Sequence, residues 1–270
     1  MRFVALAAVV VFTPLAIWLA NQSPPRVTHK EALALALAIE QANDDRALAS
    51  LVHFEDVQGA PADSHHRPGD TSPQLASQIL FAKGRGQYTF LEMKADAAGE
   101  TTLRFRCERG GMALDYHELK LERHEDRIVV CELWSMRLGG WTRELLQQRR
   151  EILGSTELAT EAGNFLRQVD VLEPEPLEAA FQGLPRKLRT SPFIALQYLA
   201  KMGLKNFLPF RVALAEFRSE NPDHLGPDLL LISARSVEVP QPEILGAFRR
   251  IHARIGDEPF LARWRAALVK

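Results

Sequence analysis

The spacing of hydrophobic residues changes twice along the chain. Residues 28–51 carry apolar side chains at helical spacing, and Thr28 stands where a helix N-cap is expected. From residue 87 to 137 hydrophobic and polar residues alternate, which is typical of strands, and after Gly139 the helical spacing returns. Because helices precede and follow one run of strands, the pattern predicts an α+β fold.

The alternating part predicts a meander of at least four antiparallel strands, packed on the helices before it. Turn residues at Ala98-Gly99, Gly110-Gly111 and Glu125-Asp126 separate the strands. The predicted strands are residues 87–95, 101–108, 112–123 and 127–137. Together with the preceding helices they form a predicted unit over residues 28–150.

Beyond residue 150 proline and glycine residues divide the chain into helices of about 10 to 16 residues, which favours packed helical pairs. The breaks are expected at Glu173-Pro174, Gly183, Ser191-Pro192, Pro209, Asn221-Pro222, Pro240 and Gly256. Residues 151–270 are therefore predicted to form an all-α second unit.

The N-terminus predicts export. Arg2 precedes an uninterrupted apolar run over residues 3–20, followed by a polar exit that contains proline. Cleavage after Ala20 or Ala16 would leave a large residue or a proline at the −3 position, so residues 1–27 are either a signal peptide or an uncleaved membrane anchor. The expected location is the periplasm, or the inner membrane with the folded part outside the cytoplasm.

Composition and motifs narrow the classes of function. Hydrophobic residues make up 46%, charged residues 25%, and the formal net charge is −1, so no basic surface is expected to bind nucleic acid. The sequence contains no glycine-rich phosphate loop and no G-x-S-x-G motif. These absences leave the catalytic residues unknown, and the sequence implies no cofactor.

The two cysteines are expected to remain thiols. Cys107 and Cys131 fall on strands separated by a third strand, which places them about 9.6 Å apart. A disulfide requires Cα atoms within about 7 Å.

The hairpin DYHELKLERHEDRIVVCELW, residues 115–134, contains the candidate ligand pocket. If Glu125-Asp126 is a two-residue turn, His117 lies opposite Trp134, and Glu132 shares their face. His117 and Glu132 are then candidates for a general base and its orienting carboxylate, with a buried polar pair as the alternative. On the preceding strand, Arg104 or Leu103 lies opposite His117, depending on the loop length, and Arg104 there would favour an anionic ligand.

The same hairpin does not predict a metal site. His117 and His124 stand seven residues apart, more than about 20 Å along a strand, and the HExxH spacing is absent. The adjacent His65 and His66 lack evident partner ligands. No metal is predicted.

Two partial resemblances follow from these segments. By element order and by the hairpin, residues 28–150 resemble the nuclear transport factor two-like cone superfamily, whose curved sheet and helices enclose a pocket. The segment FRVALAEFRSENPDH, residues 210–224, resembles the second helix and exit turn of a tetratricopeptide repeat. An ordinary helical bundle is the alternative for residues 151–270.

The resemblances imply activities that range from protein association and small-ligand binding to isomerases and dehydratases. The sequence favours an exported, non-enzymatic adaptor that binds another envelope protein through its helical part. The alternative is a small-molecule binding protein, or a lyase or isomerase, that uses the pocket of the cone.

Overall fold

The computed structural model describes residues 26–42, 44–53, 86–109, 113–169, 171–203, 207–233 and 239–268. Within these ranges the protein has one five-stranded antiparallel sheet and eleven helices, which confirms the α+β class. Residues 1–25 lie outside the described ranges, so the export segment stays a prediction. Among the described helices, none has the length and hydropathy needed to span a membrane.

Two of the described helices precede the sheet, α1 (His29–Gln41) and α2 (Asp45–Ala49). Thr28 caps α1 as predicted, because its hydroxyl accepts the N–H of Glu31 while the Glu31 carboxylate accepts the N–H of Thr28. The prediction of one continuous helix to residue 51 is wrong. Asp44 begins a second helix by accepting the N–H of Ala47 at 2.7 Å.

The strands are neighbours in chain order, which confirms the predicted meander. A fifth short strand, which the sequence did not reveal, follows a turn at residues 136–139 that ends the fourth strand two residues earlier than predicted. The strands are β1 (Gly86–Ala95), β2 (Thr101–Arg109), β3 (Ala113–His124), β4 (Arg127–Ser135) and β5 (Gly140–Trp141).

Nine helices follow the sheet in the part of the chain that the structure describes. Pro174 and Pro192 each occupy the first position of a helix, and Gly183 and Gly256 each cap the end of one, as the sequence predicts. Pro209 does not interrupt a helix, because it lies in the first turn of the helix Phe207–Glu220, where a backbone N–H would have no intrahelical acceptor. The helices are α3 (Thr142–Leu153), α4 (Thr156–Gln168), α5 (Pro174–Gln182), α6 (Arg186–Arg189), α7 (Pro192–Met202), α8 (Phe207–Glu220), α9 (Gly226–Ser233), α10 (Gln241–Ile255) and α11 (Pro259–Leu268).

The sheet is the middle layer of the protein. One face packs with α1 and α2 in a first hydrophobic core that includes Phe105 and Leu119. The other face contributes Leu114 and Tyr116 to a second core formed mainly by the C-terminal helices, and the turn after β4 adds Met136. The predicted boundary at residue 150 lies inside α3, and the division into two domains stays a prediction.

The turn between β4 and β5 contacts the loop before α9 through one buried histidine. Nε2 of His224 lies 2.8 Å from the carbonyl oxygen of Leu138, and Nδ1 accepts the N–H of Gly226 at 3.0 Å. Because one nitrogen donates and the other accepts, the ring is neutral with its proton on Nε2. Burial lowers the pKa of His224, which favours the same neutral form.

Candidate functional site

A β-bulge changes the register of the hairpin that contains the predicted pocket. The predicted pairing holds from the turn to Leu121 and Val130. The next pair is Lys120 with Glu132, so Cys131 is an extra residue on β4. Every residue of β4 beyond the bulge therefore lies opposite a different partner from the predicted one.

The prediction that His117, Glu132 and Trp134 share one face is wrong. His117 lies opposite Ser135, while Trp134 lies opposite Glu118. Because opposite residues share a face and successive residues alternate, Glu132 and Trp134 face the C-terminal helices, whereas His117 faces the first core.

The predicted neighbours of His117 on β2 are also wrong. Arg109 pairs with Ala113, which places Phe105 opposite His117 instead of Arg104 or Leu103. Arg104 is therefore on the same face as Glu118, its partner in the register.

His117 belongs to a buried polar network. Its Nδ1 lies 3.2 Å from the Tyr88 hydroxyl and its Nε2 lies 3.2 Å from Oδ2 of Asp115, which also accepts the Ser135 hydroxyl at 2.9 Å. Burial opposes ionisation of Asp115, but the nearby His117 and the hydrogen bond from the N–H of Arg137 hold its pKa below the ordinary value. Burial raises the pKa of Tyr88, so the phenol keeps its proton. With its polar atoms paired, the network stabilises the sheet.

Arg104 is held by ion pairs within the sheet and by a hydrogen bond to α10. Its guanidinium donates to Glu118 at 2.6 Å, to Glu92, and to the carbonyl oxygen of Ile255 at 3.1 Å. Arg254 donates to the other oxygen of Glu118 at 2.7 Å. These contacts occupy the Arg104 side chain, which is 3% exposed, so it does not form the predicted anion site.

Trp134 also contacts α10. The guanidinium of Arg254 lies 4.8 Å from the centre of its indole ring, a distance typical of a cation–π interaction. Of the four predicted pocket residues, Trp134 and Arg104 therefore join the sheet to α10, while His117 joins β3 to the first core.

Glu132 alone among the four lines an open groove, of about 480 Å³, at the edge of the sheet near the start of α3. Burial raises the pKa of its carboxyl, and the nearby Arg143 opposes the effect, with its N–H 3.1 Å and its Nε 3.7 Å from the carboxylate. Lys120 pairs with Glu100 at 2.6 Å across the groove. The lining residues have mixed charge and include His53, Glu100, Thr102, Lys120, Glu122, Cys131, Glu132, Trp141, Arg143 and Glu144.

His53, Glu122 and His124 meet at the rim of this groove. One ligand-type atom from each lies within 4.8 Å of the others, and the two imidazole rings stack with centroids 3.6 Å apart. The sequence pattern suggested only His117 as a possible partner of His124, because His53 lies some seventy residues earlier in the chain. Only the spacing of Glu122 and His124, two residues apart on one strand face, was visible in the sequence.

Cys131 lies beside this cluster without belonging to it. Its thiol donates to the carbonyl oxygen of Lys120 at 3.4 Å, and burial together with the charge of Glu122 raises its pKa to about 12. Cys107 lies on β2, and the two cysteines form no disulfide. The strand order, with β3 between them, is the predicted one.

The fold and these contacts define an α+β protein with helices on both faces of the sheet and a polar groove lined by residues of β2, β3 and β4. No family model, curated protein or solved structure matches the chain. The functional argument therefore rests on the geometry of the described residues.

Proposed function

We propose that this protein is an exported, non-enzymatic adaptor that binds another envelope protein through its C-terminal helices. The observation that carries the proposal is the outer face of α8, formed by Leu208, Arg211, Val212 and Ala215. Leu208 and Val212 are 68% and 57% exposed, one helical turn apart. The export part of the proposal rests on the apolar run over residues 3–20. The proposal also includes the cone-like fold of residues 28–150 and the tetratricopeptide-like character of residues 210–224, which includes most of α8.

The outer face of α8 has the spacing that a partner helix recognises. Leu208, Val212 and Ala215 stand at positions i, i+4 and i+7, so their side chains form one stripe. The opposite side of the helix packs into the second core through Phe210 and Phe217. The core therefore holds the helix in place and presents the stripe to solvent.

The helix is also fixed to its neighbour by an ion pair at the edge of this stripe. Nε of Arg211 lies 3.1 Å from the carboxylate of Glu243 on α10. A stable interface needs about 800 Å² from each partner, more than two side chains supply. The partner is therefore expected to cover α8 and the adjoining part of α10.

A pull-down from envelope extracts tests the proposal. The double variant Leu208→Glu/Val212→Glu places two charges in the stripe and should lose the partner that the wild-type protein recovers. Val171→Glu is the matched control, because Val171 is 73% exposed between α4 and α5, away from α8. Equal recovery by the double variant and the wild-type protein would rule out α8 as the contact surface.

The groove supports a second candidate function, the binding of a small polar molecule, with lyase or isomerase chemistry as its enzymatic form. Glu132 and Arg143 supply opposite charges there, and Trp141 supplies an aromatic surface, so the groove offers both polar contacts that could orient a ligand and one ring against which it could pack. Native mass spectrometry of protein purified from cells should then detect a bound molecule that Arg143→Gln loses and Arg167→Gln, on the exposed side of α4, retains. Protein without any bound molecule would remove this candidate.

A further inference from the structure

We propose that His53, Glu122 and His124 form a binding site for a divalent transition-metal ion, for which Zn²⁺ is the appropriate probe. Two imidazoles and one carboxylate are a donor set that zinc and iron sites use, with the remaining coordination positions left to water or substrate. The site would be accessible, because Glu122 is exposed and both histidines are half-buried.

The backbone holds the three residues in place from two distant parts of the chain. Val52 forms a parallel bridge with Val130, in which the N–H of His53 donates to the Val130 carbonyl at 2.9 Å. This bridge adds the segment after α2 to the free side of β4. Glu122 lies on β3, on the other side of β4, where it pairs with Val129. The His53 side chain therefore reaches across β4 to meet the two side chains of β3.

The ligand atoms of the three side chains lie near one another, at a spacing that can be compared with that of a zinc site. Ligand atoms bound to one zinc ion at about 2.1 Å in tetrahedral geometry lie about 3.4 Å apart. The three ligand atoms already lie within 4.8 Å of one another, although the rings are stacked with an angle of 24° between their planes. Two stacked rings do not both direct an in-plane nitrogen at one ion, so binding would require one imidazole to rotate.

The charge of the groove favours a cation. Its lining contains four carboxylates, of Glu100, Glu122, Glu132 and Glu144, and two cationic side chains, of Lys120 and Arg143. Three protein ligands leave at least one coordination position, and His53 and Glu122 also line the groove, so that position opens toward it. The ion would then connect the segment after α2 to the β3–β4 hairpin and present an open position to the groove.

Calorimetric titration of the full chain with Zn²⁺ tests the site. We expect one Zn²⁺ per chain, and a loss of affinity of about tenfold or more in each of His53→Ala, His124→Ala and Glu122→Gln, because each removes one ligand. The His65→Ala/His66→Ala variant is the control, since adjacent histidines elsewhere in the chain are the competing source of binding. It should bind as tightly as the wild-type protein.

Two results would overturn the assignment. One is wild-type protein that binds no Zn²⁺, and the other is binding that the His65/His66 variant loses while the three ligand variants keep it. A thermal shift measurement separates binding from misfolding. Glu122→Gln preserves the shape of an exposed side chain, so it should unfold near the wild-type temperature without metal, yet Zn²⁺ should raise its Tm by less than it raises that of the wild-type protein.

Discussion

Substitution of Gly139 by alanine should disrupt the contact between the β4–β5 turn and the loop before α9. Gly139 has φ of +73°, a conformation that favours glycine, and a Cβ added there would lie 2.0 Å from Nε2 of His224. The His224 ring is almost fully buried, so it would have to leave the Leu138 carbonyl to make room.

The expected cost has three parts. A side chain at positive φ costs about 1 to 3 kcal/mol. Overpacking against a buried ring costs about 1 to 3 kcal/mol. The loss of the His224 hydrogen bonds leaves buried polar groups without partners, at about 1 to 3 kcal/mol. We therefore expect Gly139→Ala to lower the free energy of unfolding by about 3 kcal/mol or more.

Gly256→Ala is the matched control. Gly256 has φ of +85°, but a Cβ there would meet no atom within 4 Å, so only the backbone strain of about 1 to 3 kcal/mol remains. Urea denaturation followed by circular dichroism measures both variants. If Gly139→Ala costs no more than Gly256→Ala, the packing of His224 against the turn is refuted.

Three further predictions concern buried groups. When the pH falls from about 7.5 to about 5.5, the wild-type protein should lose more stability in urea denaturation than His224→Gln does. The reason is that the folded pKa of His224 lies below the ordinary 6.5, so the unfolded chain takes up a proton that the folded protein does not. Equal losses in the two proteins would contradict this. Glu118→Ala should cost about 3 kcal/mol in the same assay, because it leaves the buried Arg104 with Glu92 as its remaining carboxylate, and a cost below about 0.5 kcal/mol would show an exposed pair. Thiol labelling of unfolded, unreduced protein should count two groups, Cys107 and Cys131, and none would indicate a disulfide.

The local features of the fold could be predicted because they depend on nearby residues. The capping box of Thr28 and Glu31 begins α1, and Pro174 and Pro192 begin helices. The two-residue turn at Glu125-Asp126 was also correct, with Glu125 at φ of +52°. Each depends on residues within one turn of chain, so the sequence pattern contains the whole cause.

The candidate site could not be predicted because distant segments create it. The bulge lies next to Val130, where the segment after α2 joins β4, and no glycine at residues 130–132 marks it. His53 meets His124 through the same long-range pairing. If the bulge and the pairing of the segment after α2 with β4 are not known, the hairpin pattern places His117 and Trp134 on one face.

The alternation of polar and apolar residues along β3 also gives a wrong expectation of which side chains are exposed to solvent. It correctly placed Glu118 on the opposite face from His117, and a charged residue on the outer face of a hairpin normally meets water. The C-terminal helices cover this face instead, and Arg254 pairs with Glu118 there. The composition of β3 alone gives no sign that a second layer supplies the partner charges.

The most direct test of the adaptor function is crosslinking in intact cells with a photo-reactive amino acid at position 208. The proposal predicts a covalent adduct with one envelope protein from position 208 and none from position 171, which is similarly exposed in the turn between α4 and α5. Introduction of Val212→Glu beside the probe should abolish the adduct, because Val212 shares the stripe on α8. No adduct at position 208, or the same adducts at both positions, would contradict the proposed function.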